Sequence, residues 1–378
     1  MSKFNSDHSA NLLSRLNWLN TIFLIVSPIL VVVFVPMHII VEGLDWRLIA
    51  LFIFYCFATG LSITAGYHRL FAHRSYEASL LVKLFYLIFG ASALQGYAMK
   101  WSTDHRRHHK FVDKEEDPYR ISKGFFYAHM GWVFYKDDPK YLENKPADLK
   151  ADKWIVWQDK YNFPIAIIVG FLFPTLIGLS LGAPWGGLLF GCLARVVITH
   201  HTTFFINSLC HMWGSQPYNT KNTAKDNFIL AFLTYGEGYH NFHHRFESDY
   251  RNGILWYQWD PTKWLIKILS FLGLTKNLRK VSDAEILRAK LLAQEVRLVE
   301  FGIYNDRFKE LRIKIEEAQK QIAVYKKRYV EIKKDLALQK DETIIQIKIE
   351  LKLAKIELDA ALEQWRLLYQ VQTAGFAF

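Results

Sequence analysis

The sequence predicts an all-α membrane protein with four transmembrane helices, a cytosolic helical domain holding a histidine-rich site for two metal ions, and a C-terminal coiled coil. Three observations carry this. Apolar stretches at about 21–40, 48–67, 163–181 and 187–207 contain a single Asp, Glu, Lys or Arg between them, Arg195. Each approaches the roughly 20 residues that a helix needs to cross a bilayer. Nine of the fourteen histidines gather at the ends of these stretches or in the polar segments between them. After residue 281 an apolar seam advances in steps of three and four, the heptad pattern of a coiled coil. The expected division is an N-terminal cytosolic segment over 1–20, a membrane and metal-binding domain over 21–281, and a coiled-coil extension over 282–378.

Apolar residues make up 51% of the chain and aromatics 16%, which points to burial in a membrane as well as in a core. Cys56, Cys192 and Cys210 stand in apolar runs without a CxxC pair. That argues against a disulfide framework, a zinc ribbon or an iron–sulfur cluster. Of the net charge of +11, residues 1–281 hold 29 Lys and Arg against 20 Asp and Glu, and the remainder 18 against 16. The basic excess therefore adjoins the apolar segments, where it suits anionic lipid headgroups or an acidic redox partner. No basic patch is interleaved with aromatics as nucleic acid requires, so none is expected as a partner. The first twenty residues are polar and lack a cationic start, so no signal peptide is expected.

In chain order, 21–40 and 48–67 read as an antiparallel transmembrane pair joined by a short acidic connection, the second helix delivering His68 at its end. The run 80–99 is interrupted by Lys83 and reads as a helix in the membrane interface. Residues 101–160 form a large polar loop; 161–194 then splits at Gly182 to Gly187 into a helix, a turn and another helix. Four spans put both termini, the polar loop and every histidine cluster on one side. The connections on the other side carry almost no Lys or Arg, which makes the histidine side cytoplasmic. Arg195 inside the fourth span marks a functional or tightly paired position, or a cation that snorkels out. The aromatics Trp256, Tyr257, Trp259 and Trp264 predict an interfacial cap over 246–275.

Beyond 281, Ser282 to Glu285 fits a capping box. One seam runs Phe301, Tyr304, Phe308, Leu311, Ile315, Ala318, Ile322, Tyr325, Tyr329, Ile332, Leu336; a second runs from Ile344 to Leu368. The two registers break near Lys340 to Glu342, as a stutter in one helix or the turn of a hairpin. Neither Gly nor Pro occurs there, which favours one continuous helix. The expected role is oligomerisation or docking.

The chemistry concentrates in the histidines. On an α-helix His105, His108 and His109 leave one face within about a 100° arc. His240, His243 and His244 repeat that spacing, and Asn207 and His211 share a face four residues apart. His68 and His73 are five apart and do not share an α-helical face, so one is expected on a helix end and the other just past it. Histidines in this number, with almost no carboxylates among them, exceed the four ligands of a structural zinc and suit two ions of a redox metal such as iron. Asp104, Asp117 and Glu237 are candidates to orient the ligand rings. His200 lies on the face of Asn207 without a matching cluster.

The runs Tyr67-His68-Arg69-Leu70-Phe71-Ala72-His73, Asp104-His105-Arg106-Arg107-His108-His109 and Gly236-Glu237-Gly238-Tyr239-His240-Asn241-Phe242-His243-His244 resemble the three histidine boxes of membrane fatty acyl desaturases. Asn207-Ser208-Leu209-Cys210-His211-Met212-Trp213-Gly214 resembles the extra ligand segment of the acyl-CoA, stearoyl-type branch. So does the stretch around His129, which that likeness makes structural. The resemblance covers about residues 20–275. It implies a non-haem di-iron centre that uses O₂ to place a cis double bond, commonly at C9–C10, in a fatty acyl chain. The ligands it implies are His68, His73, His105, His108, His109, Asn207 through water, His211, His240, His243 and His244. Gln95, Trp101 and Thr203 match positions that shape the kink of the substrate tunnel, with Cys56 and Gly60 toward its closed end. Gly96 and Thr103 depart from the Asn and Arg with which that branch holds CoA, so acyl carrier protein or phospholipid carriers stay open. No His-Pro-Gly-Gly haem motif is present, so electrons are expected from a separate ferredoxin, cytochrome b5 or similar donor. A related hydroxylase is the nearest alternative, and a metal-dependent membrane scaffold or transporter a more distant one.

Overall fold

The computed structural model describes residues 14–138, 141, 145–334 and 341–375. Its first two helices, α1 (Trp18–Glu42) and α2 (Trp46–Ala72), are both long and apolar enough to cross a membrane. Gly43, in the left-handed region at φ +80°, ends α1, and the Asp45 carboxylate caps α2 by accepting from the Arg47 N–H at 2.8 Å. α1 turns Leu19, Ile22, Ile29, Val32 and Ile40 outward, a surface that suits lipid better than water.

α3 (Leu80–Ser92) is 13 residues long, about 20 Å, which is too short to span. It ends well before residue 99 because Leu94 and Gly96 take left-handed backbone angles, which start α4 (Ala98–Phe111) in a new direction. α2 and α3 pack through glycines. A Cβ on Gly66 would meet Tyr86 at 2.6 Å and one on Gly90 would meet Tyr67 at 2.4 Å.

α5 (Lys153–Ser180) and α6 (Pro184–His211) complete four candidate spans. α5 begins ten residues before the expected 163, because Asp152 accepts from the Trp154 and Ile155 N–H groups and the polar loop stops there. The helices cross closely: a Cβ on Gly187 would lie 2.5 Å from the Pro174 carbonyl oxygen. Gly187→Val is therefore expected to destabilise by at least the ~1–3 kcal/mol of overpacking, read as a lower Tm in detergent.

Arg195 does not snorkel. It is fully buried, and its guanidinium donates to the carbonyls of Gly191 at 3.0 Å, Gly170 at 2.7 Å and Ser92. One cation thus ties α3, α5 and α6 together through backbone acceptors.

Two short helices, α7 (His240–Arg245) and α8 (Pro261–Phe271), close this unit. Strand β1 (Glu77–Ala78) pairs antiparallel with β2 (Thr275–Lys276). Trp256 and Tyr257 are exposed beside α8, as an interfacial cap requires.

The chain divides into compact units at 281/282. In the second unit the Ser282 capping box starts α9 (Asp283–Glu300), followed by α10 (Asp306–Lys334) and α11 (Asp341–Thr373). Phe308, near the start of α10, packs on Trp365, near the end of α11, with ring centroids 5.2 Å apart. The chain therefore reverses between α10 and α11, and the expectation of one continuous helix is corrected. The gain is a buried seam of Phe308, Leu311 and Ile315 against Ala361 and Trp365, which a single helix could not bury within its own chain. Leu336 and Lys340 lie outside the described residues.

Candidate metal centre

The last turns of α2, Ser62–Ala72, wind as a π-helix. The His73 N–H donates to the His68 carbonyl at 3.0 Å, so one i→i+5 turn brings the two rings to 4.8 Å between centroids. His68 on the helix end and His73 just past it stand as expected; only the premise that the two rings cannot share a face is corrected, since it holds for an α-helix and π winding is the exception.

Two histidine groups result, each with its donor atoms within 4.8 Å of one another and each able to hold a metal ion: His68, His73, His105, His109 and His243; and His108, His211, His240 and His244. α4 sends His105 and His109 to the first group and His108 to the second. α7 does the reverse, with His243 in the first and His240 and His244 in the second. The rings of His109 and His244 stack at 4.3 Å, so the groups adjoin.

Outward partners dictate which ring nitrogen carries the proton. His68 Nδ1 lies 2.9 Å from Glu237 Oε2, His108 Nδ1 2.8 Å from Asp117 Oδ1 and His109 Nδ1 3.1 Å from Glu247 Oε2. His211 Nδ1 lies 2.7 Å from Thr223 Oγ1, whose hydroxyl donates to Asp113 at 2.6 Å. Carboxylates only accept, so these rings carry N–H at Nδ1 and a lone pair at Nε2. The Nε2 atoms converge: His68 on His243 at 2.9 Å, His109 on His243 at 3.0 Å, His211 on His240 at 3.1 Å. His68, His109 and His211 thus aim Nε2 lone pairs at His243 and His240, a convergence that a cation among the rings would satisfy. Burial also keeps the rings neutral, pushing His109 down to about 4 and His73, His105, His240, His243 and His244 below the usual range. The donor set fits a metal.

Behind His68, Arg69 spans two buried carboxylates. It donates to Glu237 Oε1 at 2.8 Å and to Asp260 Oδ1 at 3.0 Å. Burial alone would raise the Glu237 carboxyl, but the Arg69 guanidinium and the hydrogen bond from His68 Nδ1–H override it and hold it at about 2. Glu237 is thus an anion at any working pH.

In the metal-free protein the depressed histidines link stability to pH. Unfolded imidazoles titrate near about 6.5 and folded His109 near about 4. Their contribution is complete above the unfolded value and is lost as pH falls through the folded one. Tm should decline as pH falls from about 7 to about 4; a flat profile would contradict this.

A cavity of about 290 Å³ reaches His68 and His105. Gln95, Trp101 and Thr203 line it, with apolar Ile63, Leu24 and Leu94. Trp101 stacks on His105 at 5.1 Å, and the Gln95 amide donates to Thr203 Oγ1 at 2.8 Å. Asn207 also lines the cavity, one turn before His211. Cys56 and Gly60 do not. The Tyr235 hydroxyl donates to the Cys56 carbonyl at 3.0 Å, and its ring fills the space a Cβ on Gly60 would need. Asp104 lines the cavity but turns its carboxylate to Lys100 at 2.5 Å and Arg107 at 3.2 Å rather than to a ligand ring. His200 stays outside both groups with Nε2 2.9 Å from the Ala93 carbonyl, and His129 bridges Ser208 and His201. Sequence reasoning missed Glu247, Thr223 and Asp113. Glu247, three residues past His244, was the one with a positional hint.

Fold and site together define a multi-pass helical membrane protein with adjoining histidine groups that could bind metal. The fatty acid desaturase family model matches residues 44–268. The chain is 41% identical over 274 residues to a probable acyl-CoA desaturase of Schizosaccharomyces pombe, covering 72% of this chain and 56% of that one. It is also 41% identical over 288 residues to acyl-CoA desaturase 1 of Saccharomyces cerevisiae, covering 74% and 55%. With the stearoyl-CoA desaturase of Homo sapiens it shares 34% identity over 247 residues, 62% of this chain and 67% of that one. The chain belongs to the fatty acid desaturase family, and it spans about half the length of the two yeast relatives.

Proposed function

We propose that this protein is an O₂-dependent desaturase that places a cis double bond, at C9–C10, in a saturated acyl chain carried as a thioester. The observation that carries this is a cavity with apolar walls leading straight to the five-histidine group. His68, His73, His105, His109 and His243 would hold one iron; His108, His211, His240, His244 and, through water, Asn207 would hold the other. Bound iron would supply the O₂-derived oxidant that an unactivated C–H bond demands. The overall balance is one –CH₂–CH₂– unit, one O₂, two electrons and two protons giving one –CH=CH– unit and two waters.

The protein's part is positioning. Trp101, stacked on His105, forms the wall beside the reacting carbons. The Gln95–Thr203 hydrogen bond joins the turn after α3 to α6 across the cavity, where the acyl chain must bend, and so selects the methylene pair. Asn17, Asn20, Lys100, Asp104 and Asp137 make the other part of the lining polar, which suits a thioester head. CoA is the carrier in the relatives' names and the one proposed here; Thr103 supports no head contact, since its hydroxyl donates back to the Met99 carbonyl.

The site faces the cytoplasm in this reading, because Arg47, paired with Asp45, is the one Lys or Arg beside the short connections on the far side. A separate ferredoxin, cytochrome b5 or similar donor provides the electrons, and lipid contacts α1. The second unit oligomerises or docks the enzyme. Truncation after Val281 should then lower the oligomeric state or turnover, and no change in either would refute that role.

Expression in a host lacking its own unsaturated fatty acids, followed by mass spectrometry of the lipids, tests the activity. Cis-monounsaturated chains are expected; hydroxylated chains would assign the protein to the hydroxylases.

A further inference from the structure

The carboxylates beside the histidines are not alike. Glu237 and Asp117 are buried, whereas the Glu247 side chain is 59% exposed, although its Oε2 lies 3.1 Å from His109 Nδ1. The same oxygen lies 4.0 Å from His73 Nδ1. His73 and His109 come from different elements, pack edge-on at 4.5 Å and belong to one group. A single surface carboxylate therefore faces the outward nitrogens of two of the five rings, and Glu237 takes a third. The four-histidine group is supported differently, through buried Asp117 and the Thr223–Asp113 relay.

We propose that Glu247 is a positioning residue for the five-histidine ion alone, orienting His109 through its Nδ1–H, acting on His73 at 4.0 Å through charge only, and raising that group's affinity for its metal. The physical cause is twofold. An acceptor at Nδ1 fixes the tautomer and makes Nε2 a better donor, and its negative charge offsets a cation held only by neutral rings. Because the Glu247 side chain is mostly exposed, its removal leaves no buried charge unpaired, takes one acceptor from His109 Nδ1–H at the protein surface, and spares the fold.

This inference rests on the two-ion reading above. The test is a cobalt(II) titration of the metal-free full chain in detergent, followed by the visible spectrum of the bound ion. Glu247→Ala should weaken one of two sites by about 10–100-fold and alter that site's spectrum only. Glu247→Gln, which keeps an acceptor without the charge, should fall between. Glu115→Ala, at a carboxylate with a 92% exposed side chain, should match wild type. Two unchanged sites in Glu247→Ala, or two sites weakened equally, would overturn the proposal while leaving the two-ion reading intact. A wild-type chain that binds no cobalt would overturn both.

Discussion

Replacing His243 with alanine is expected to abolish desaturation and to empty the five-histidine site. His243 Nε2 lies 2.9 Å from that of His68 and 3.0 Å from that of His109, so its ring stands at the centre of the group. Removing a partner behind a ligand costs about 10–100-fold in affinity or activity, and deleting the ligand itself should exceed that. Turnover and metal content measured on one preparation check it. His201→Ala is the contrasting case: that ring pairs with His129 at 2.9 Å, outside both groups, and the ion should stay. Wild-type turnover in His243→Ala would remove the basis for the ligand assignment.

Arg69→Leu is expected to be the most damaging change to stability. Arg69 is buried with the two carboxylates it neutralises, Glu237 and Asp260. Removing one side of a buried ion pair costs about 3–5 kcal/mol, because the charge left behind stays desolvated. Two are left here, and Glu237 would lose the cation that keeps it aligned on His68. Lysine does not restore the network, since a point charge cannot serve both carboxylates and the Tyr250 carbonyl as the guanidinium fork does. Thermal unfolding with metal analysis measures both effects. Arg47→Leu, which breaks the exposed pair with Asp45, should leave Tm unchanged, and equal losses in the two variants would contradict the buried-charge argument.

How much of this could be read from the residues depended on whether local pattern or distant contact decided the outcome. The four spans were legible because uncharged runs have one low-energy home. The histidine clusters were legible because repeated spacing survives any packing. The split of α4 between two groups was not, since it depends on α4 lying between α2 and α7. Nor was the π turn at His68–His73, where an α-helical reading separates rings that the structure unites. Tyr235 covers Gly60 from far along the chain, so no local signal showed that Gly60 stays outside the cavity lining. The α10–α11 reversal uses neither Gly nor Pro, and only the burial of Phe308 against Trp365 reveals it. Glu247 and Thr223 are single polar residues in no motif; their roles emerge from the Nδ1 atoms they meet.

In the proposed reading, two adjoining groups of converging imidazoles hold a pair of iron ions. Metal analysis of the full chain, purified in detergent from iron-replete cells, tests it most directly. Two tightly held iron ions per chain are expected, one for each histidine group. A folded chain carrying a single zinc, or no metal at all, would contradict it.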